Sequence, residues 1–403
     1  MKLRKNYLAK FIKYTKNVYN IEHGFGKMQD GRVNPKYKTS TVLLTVLLGL
    51  MLRVKSFNEL NYMIKENEFK YLFKKRTSIP RIDTIRDTMK VTDVKRLHDE
   101  LDFIIKRAVR NKVFANETVD GYTVVAIDGT KLFGSNKKSC PECLKNNSHN
   151  SHSCVAMAVV GDAPKLVVGF EMYKPKEDAF KKDEGEITVA KRLVTRVFER
   201  NNSFIDVVVY DLLVCNSVFI SHCLHYRIDV IIRAKQNNNN FLKQAKKAAN
   251  KTEPIEVLEK DHEFEKVEFF ESQFNMPNVE QPLRFLKFAI KHLNQERTQV
   301  MLVTSCMDMT FKTLYKIMRA RADIENSIFN NLKTECGLKH CFVHGGNLVE
   351  VITAMIFIAS NFMQMFYYRR LRESVPTQRE LIRLLLKGLY FLKYEKELVL
   401  SSA

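Results

Sequence analysis

Three acids are the residues of this 403-residue chain best placed to do chemistry together, and two of them stand at the ends of apolar runs. Asp128 closes Val124-Val125-Ala126-Ile127, and Asp211 closes Val207-Val208-Val209-Tyr210. Runs this rich in β-branched residues predict buried strands. If the two strands are parallel neighbours, both carboxylates emerge at one edge of the sheet. There they repel unless a cation neutralises them, and hard oxygen ligands call for Mg²⁺ or Mn²⁺. Glu325 can supply a third ligand. Around it Ile324, Ile328 and Leu332 recur at i, i+4 and i+8, which predicts a helix packed on the sheet with Glu325 on its flank. Arg321 falls one turn earlier on that flank, in position to hold Glu325 or a phosphate. Singly, Asp128-Gly129 reads equally as a turn, Asp211 as a helix cap and Glu325 as a solvent-facing acid. Their joint placement is what points to a site.

A second constellation is Cys140-Pro141-Glu142-Cys143, followed by His149, His152 and Cys154. Its Cys-x2-Cys spacing suits a structural Zn²⁺ stapling the loop between the first two strands. The later ligands are crowded and no second such pair exists, so a polar loop with free thiols is the alternative. Cys215, Cys223, Cys306, Cys336 and Cys341 read as packing residues. Eight cysteines in a long chain, with no apolar leader in the Lys- and Arg-bearing residues 1–17, point to a reducing compartment.

The elements that must position these groups follow from periodicity. Residues 1–115 read as a helical N-terminal domain, with Leu43, Leu44, Leu47, Leu48 and Met51, and then Leu97, Leu101 and Ile105, at helical spacing. Within it a basic loop leads through Ser78, a candidate cap, to Arg81 and Arg86, which can reach phosphates. From 120 to 235 the pattern predicts strands at 122–127, 155–160 and 166–172, a helix at 184–200, a strand at 205–210, a helix at 217–226 and a strand at 229–232. This β-β-β-α-β-α-β order is that of an RNase H-like α/β sheet, with the first strand central and the fourth parallel beside it. Residues 236–310 read as a mostly β insertion, with alternating runs at 264–270, 283–290 and 299–304. The Glu325-bearing helix occupies 311–345, and a C-terminal helical segment fills 346–403. That segment holds a hydrophobic helix near 348–368 and a last helix opening at Thr377-Gln378-Arg379-Glu380 with capping-box spacing.

Charge sets the class of partner. Lys and Arg number 66 against 45 Asp and Glu, a net +21 spread along the chain, which favours a polyanion lying across a broad surface. The stretch 42–52 is too short to span a bilayer and 351–366 is broken by polar residues, so both read as buried helices and no membrane is expected.

With these residues in place, the chain resembles insertion-sequence transposases of the DDE type, in the branch with a β insertion between the second Asp and the Glu. The likeness spans about 120–345 and rests on Ala126-Ile127-Asp128-Gly129-Thr130, on Tyr210-Asp211 with Ile231-Ile232-Arg233-Ala234-Lys235, and on Arg321-x3-Glu325-Asn326 with Leu332-Lys333. The family's Tyr-x2-Arg-x3-Glu-x6-Lys motif places its Arg and Glu on Arg321 and Glu325. Met318 stands at the Tyr position, and Lys333 comes one residue late. The resemblance implies two Mg²⁺ or Mn²⁺ ions held by Asp128, Asp211 and Glu325, hydrolysis at the element's ends, and joining of the exposed 3′-OH to target DNA. It implies contacts to double-stranded DNA, at terminal inverted repeats and target, from Arg321, Lys333, Arg319, Lys235, Arg233 and His344, besides Arg81 and Arg86. His340 follows the same helix. A homodimer in the synaptic complex and a bacterial cytoplasmic, nucleoid-associated location are implied as well. The alternatives are a related metal-dependent nuclease without strand transfer and a non-catalytic DNA-binding protein.

Overall fold

Val124, Val125, Ala126 and Ile127 are fully buried because their strand has neighbours on both sides and helices over both faces. The computed structural model describes residues 6–73, 77–114, 118–146, 149–175, 184–201, 204–211, 216–234, 240–251, 253–259, 266–294, 296–345 and 347–395. Among these, one mixed sheet contains β1 (Val124–Ser135), β2 (Leu144–Asn146), β3 (His149–Val159), β4 (Val167–Met172), β5 (Val207–Tyr210), β6 (Asp229–Arg233), β7 (Glu256–Glu259), β8 (Lys266–Phe274), β9 (Leu283–Lys291) and β10 (Arg297–Thr304). The order β4-β3-β1-β5-β6 is RNase H-like: β3 is antiparallel to β1 and β4, while β5 is parallel to β1 and β6. Helix Glu186–Asn201 makes the crossover from β4 to β5, laying Val189, Ala190, Leu193, Val194 and Val197 on the sheet. Helix Ser217–His225 makes the next crossover.

The insertion does not form a sheet of its own. β10 pairs antiparallel with β6, and β9, β8 and β7 follow outward in turn, so these strands lengthen the RNase H-like sheet. Part of the expected strand at 264–270 lies outside the described residues.

β1 departs from expectation. It does not end at Asp128 but continues to Ser135, paired with β3 from Thr130 opposite Cys154 to Ser135 opposite Asn150. What reads as a loop is largely a two-stranded ribbon, because Thr130, Leu132 and Phe133 keep β character past the Asp-Gly pair. The register slips between Lys131 and Phe133, a bulge that bends the ribbon.

The helical run Leu348–Leu371, which begins with helix Leu348–Phe366, is long and apolar enough to cross a membrane, yet 89 % of its apolar stretch is buried. It is a core helix, wrapped by the N-terminal ones. Phe11 stacks on Phe366 at 4.7 Å, Tyr19 meets Phe362 at 5.4 Å, and His98, on helix Val94–Arg110, bonds Glu350 at 2.7 Å. Helix Thr39–Met51 adds Leu43 and Leu47, and the apolar core runs continuously from Leu8 to Leu392. The last helix, Gln378–Glu395, opens on Thr377, whose hydroxyl accepts from the Glu380 N–H at 3.1 Å.

One buried amide joins helix Leu348–Phe366 to the sheet. Asn361 donates to the Val167 carbonyl and accepts from the Val167 N–H, both at 2.8 Å, on the outer side of β4. Asn361→Leu strands both backbone groups in a dry environment, so urea unfolding should show a loss of about 2–4 kcal/mol. An unchanged midpoint would mean that water replaces the amide.

Candidate active site

The β1/β5 register sets Ile127 opposite Tyr210, so Asp128 and Asp211 leave adjacent parallel strands at the same level. The third acid arrives on a helical run that starts with Phe311–Ala320 and ends with Asn330–Thr334. Between them Ile324–Phe329 is a π-helical turn, a widening that commonly marks functional positions. Ile324, Ile328 and Leu332 are buried against the sheet, which leaves Glu325 on the flank with its side chain 51 % exposed.

The three carboxylates meet at one guanidinium. Arg321, itself only 9 % exposed, sets Nη2 2.7 Å from Glu325 Oε1 and 3.7 Å from Asp128 Oδ2, and Nη1 3.2 Å from Asp211 Oδ2. Arg233 Nη1 stands a further 3.9 Å from Asp211 Oδ2. Burial pushes Asp128 up to about 7; Arg321 works against this rise, and the carboxylates of Glu325 and Glu186 add to it. Acids crowded this closely become comfortable in their ionised form only when more positive charge joins them. Oxygen donors from three elements, with one end open to solvent, fit a hard divalent cation.

Glu186 carries a signal that sequence reading missed. An acid in the first turn of a helix looks like an ordinary complement to the helix dipole. Here the Tyr210 hydroxyl donates to Glu186 Oε1 at 2.7 Å, which holds the carboxylate near Asp128. A Cβ on Gly129 would stand 3.1 Å from the Tyr173 hydroxyl and 3.2 Å from Glu186 Oε2, a tight fit that would displace those two groups by a few tenths of an ångström. The neighbouring acid Asp323 turns elsewhere, accepting from the Gly161 N–H at 3.0 Å and pairing with Lys165 at 2.6 Å.

The candidate DNA contacts stand on several separate elements. Lys333 lies over the Phe329 ring at 5.4 Å. Burial and Lys339 lower its pKa, while Asp128, Cys154 and Glu325 work against that. Arg319 is exposed and Met318 half-buried on the same helix. Arg81 immediately precedes helix Ile82–Lys90, and Arg86 pairs with Asp83 at 3.6 Å. Ser78 does not cap that helix, because it begins four residues later, after Arg81. Lys235 and residues 74–76 lie outside the described residues. His340 packs edge-on against Phe342.

The Cys/His constellation assembles differently from the loop set expected. Cys140, Cys143, His152 and His344 bring their ligand atoms within 4.8 Å of one another. His149 is not among them. Strand alternation puts it on the opposite face of β3 from His152, where it bonds Lys131 at 2.7 Å and Asn136 at 2.7 Å. Cys154 shares the face of His152 but lies one pleat deeper, fully buried in the sheet core. His344, read in the sequence as a DNA contact, points its Nε2 at the Cys143 thiol at 3.2 Å.

Comparison with known proteins adds a family. Residues 120–362 match the family model described as a transposase DDE domain. No curated protein matches the chain. Among solved structures, endonuclease V from Bacillus subtilis is similar over 61 % of this chain and 95 % of its own, at 10 % identity and a TM-score of 0.26.

Proposed function

This chain belongs to the transposase DDE-domain family, and on that premise we propose that it cuts DNA at the ends of an insertion sequence and joins the freed 3′-OH to target DNA at Asp128, Asp211 and Glu325. The observation that carries the reading is the convergence of these three acids, from two strands and a helix, on the Arg321 guanidinium. Two Mg²⁺ or Mn²⁺ ions held by the three acids would, when bound, supply activation of the attacking oxygen and stabilisation of the leaving 3′ oxygen. Asp128 and Asp211 provide the fixed side of the cage, being carried on hydrogen-bonded strands. Glu325, half in solvent on the helical flank, provides the side that the DNA backbone approaches. Arg321 and Lys333 bring positive charge to the scissile phosphate, and Arg319, Arg233, Arg81 and Arg86 serve as phosphate contacts further out. Both chemical steps are in-line phosphoryl transfers, so one set of groups serves hydrolysis and joining. A homodimer would pair two element ends, and the work would take place at the nucleoid.

The test uses the DNA that flanks the reading frame. With Mg²⁺ or Mn²⁺ the protein should nick those ends to leave a 3′-OH and give joined products with a target plasmid. Nicks without joined products favour the nuclease; binding without nicks favours the non-catalytic protein. Duplex affinity should fall about a thousandfold or more between about 50 and 200 mM salt, as phosphate contacts release counterions.

A further inference from the structure

Cys140 and Cys143 lie on the connection from β1 to β2, His152 on β3, and His344 on the segment after helix Asn330–Thr334. Their contacts are mutual: the two sulfurs are 3.5 Å apart, His152 Nε2 is 3.3 Å from each, and His344 Nε2 is 3.2 Å from Cys143 Sγ. At 3.5 Å the sulfurs are far beyond the bond of about 2.05 Å that a disulfide requires. Four donors around an ion with bonds of about 2.0–2.3 Å stand roughly 3.3–3.8 Å from one another, close to these four distances, and the remaining two pairs lie within 4.8 Å.

We propose that Cys140, Cys143, His152 and His344 form a closed structural zinc site that clasps the β1–β3 ribbon to the chain following the Glu325 helix. Two thiolates balance the charge of a divalent ion, so the occupied cluster is neutral where it is buried. Sulfur and imidazole together select Zn²⁺ over Mg²⁺, Mn²⁺ or Ca²⁺, and four protein ligands leave no open position for chemistry. Phe133 screens the cluster, its ring 5.2 Å from that of His152 and 5.6 Å from that of His344. The consequence reaches the acids. β1 carries Asp128, and the segment ending in His344 follows the helix of Glu325, so the ion ties together the two elements whose carboxylates must meet. The proposal is independent of what those carboxylates do.

Elemental analysis of the purified full chain, expressed with zinc, should find about one Zn²⁺ per chain, and Co²⁺ exchanged into it should give the intense visible spectrum of a tetrahedral sulfur-bearing site. Less than about half an equivalent, or a colourless Co²⁺ form, overturns the site without needing any variant. Cys143→Ser and His344→Ala, checked for folding by circular dichroism, should fall below about a tenth of an equivalent, while His149→Ala, Cys154→Ser and Cys341→Ser stay full. Zinc retained in His344→Ala but lost in His149→Ala would overturn the clasp in favour of a site confined to the ribbon. Asp128→Asn should keep its zinc whether or not it cuts DNA, which separates this inference from the proposed activity.

Discussion

Asp128→Asn protein should bind element-end DNA as tightly as the parent and cut it about a thousandfold more slowly or worse. The amide has the shape of the carboxylate and can still accept from the Gly129 N–H, which Asp128 Oδ1 holds at 3.0 Å, so the strand is not disturbed. What disappears is one anionic ligand of the proposed cage. Asp211→Asn and Glu325→Gln should behave alike, measured as nicking rates in Mn²⁺ beside gel-shift binding in EDTA. Asp323→Asn is the control, since Asp323 is spent on Gly161 and Lys165 only two residues from Glu325. Its cutting rate should stay within a few-fold of the parent. If any of the three acid variants keeps more than about a tenth of the parent rate, the site has been drawn around the wrong residues.

The second large effect concerns Arg321 and appears without DNA. In metal-free protein its guanidinium is the cation that reaches Asp128, Asp211 and Glu325 together, with Arg233 beside Asp211 alone. Arg321→Gln takes the shared cation from the buried Asp128 and Asp211, while Glu325 stays half in solvent and Arg233 stays beside Asp211, so the loss should fall towards the lower end of the roughly 3–5 kcal/mol seen when a buried ion cluster loses a partner. The variant should therefore melt several degrees below the parent in EDTA. Mn²⁺ should then restore about 2–3 kcal/mol at a hundredfold excess over its dissociation constant, more than it adds to the parent, because the ion takes over the missing charge. A melting temperature indifferent to both the substitution and Mn²⁺ would show that the cluster is not under electrostatic strain and is no cation site.

The two predictions lean on different links of the chain of cause. Cutting depends on ligands, and cold electrostatics of the metal-free state depends on Arg321. They can fail separately.

Much of the frame was legible from local pattern. Val124–Ile127 and Val207–Tyr210 are apolar runs of strand length, and Ile324, Ile328 and Leu332 mark one face of a helix, so the strands, the helix and the RNase H-like order are written in residue type and spacing. Periodicity records which residues face a core, and burial is a local demand on each element. It does not record where an element stops when its neighbour continues. That is why β1 was expected to end at Asp128, whereas pairing with β3 carries it to Ser135.

The chain's order of residues by itself determined its charge, which apolar runs become strands and helices, and the placing of Asp128, Asp211 and Glu325 beside those runs, since each of these is set by residue type and spacing. Only the tertiary structure decided that the insertion extends the sheet beyond β6, that Glu186 is held beside Asp128, and that His344 joins Cys140, Cys143 and His152 in place of His149 and Cys154. Contacts between residues distant in sequence depend on how strands pair and which face each side chain takes, and no local spacing encodes either.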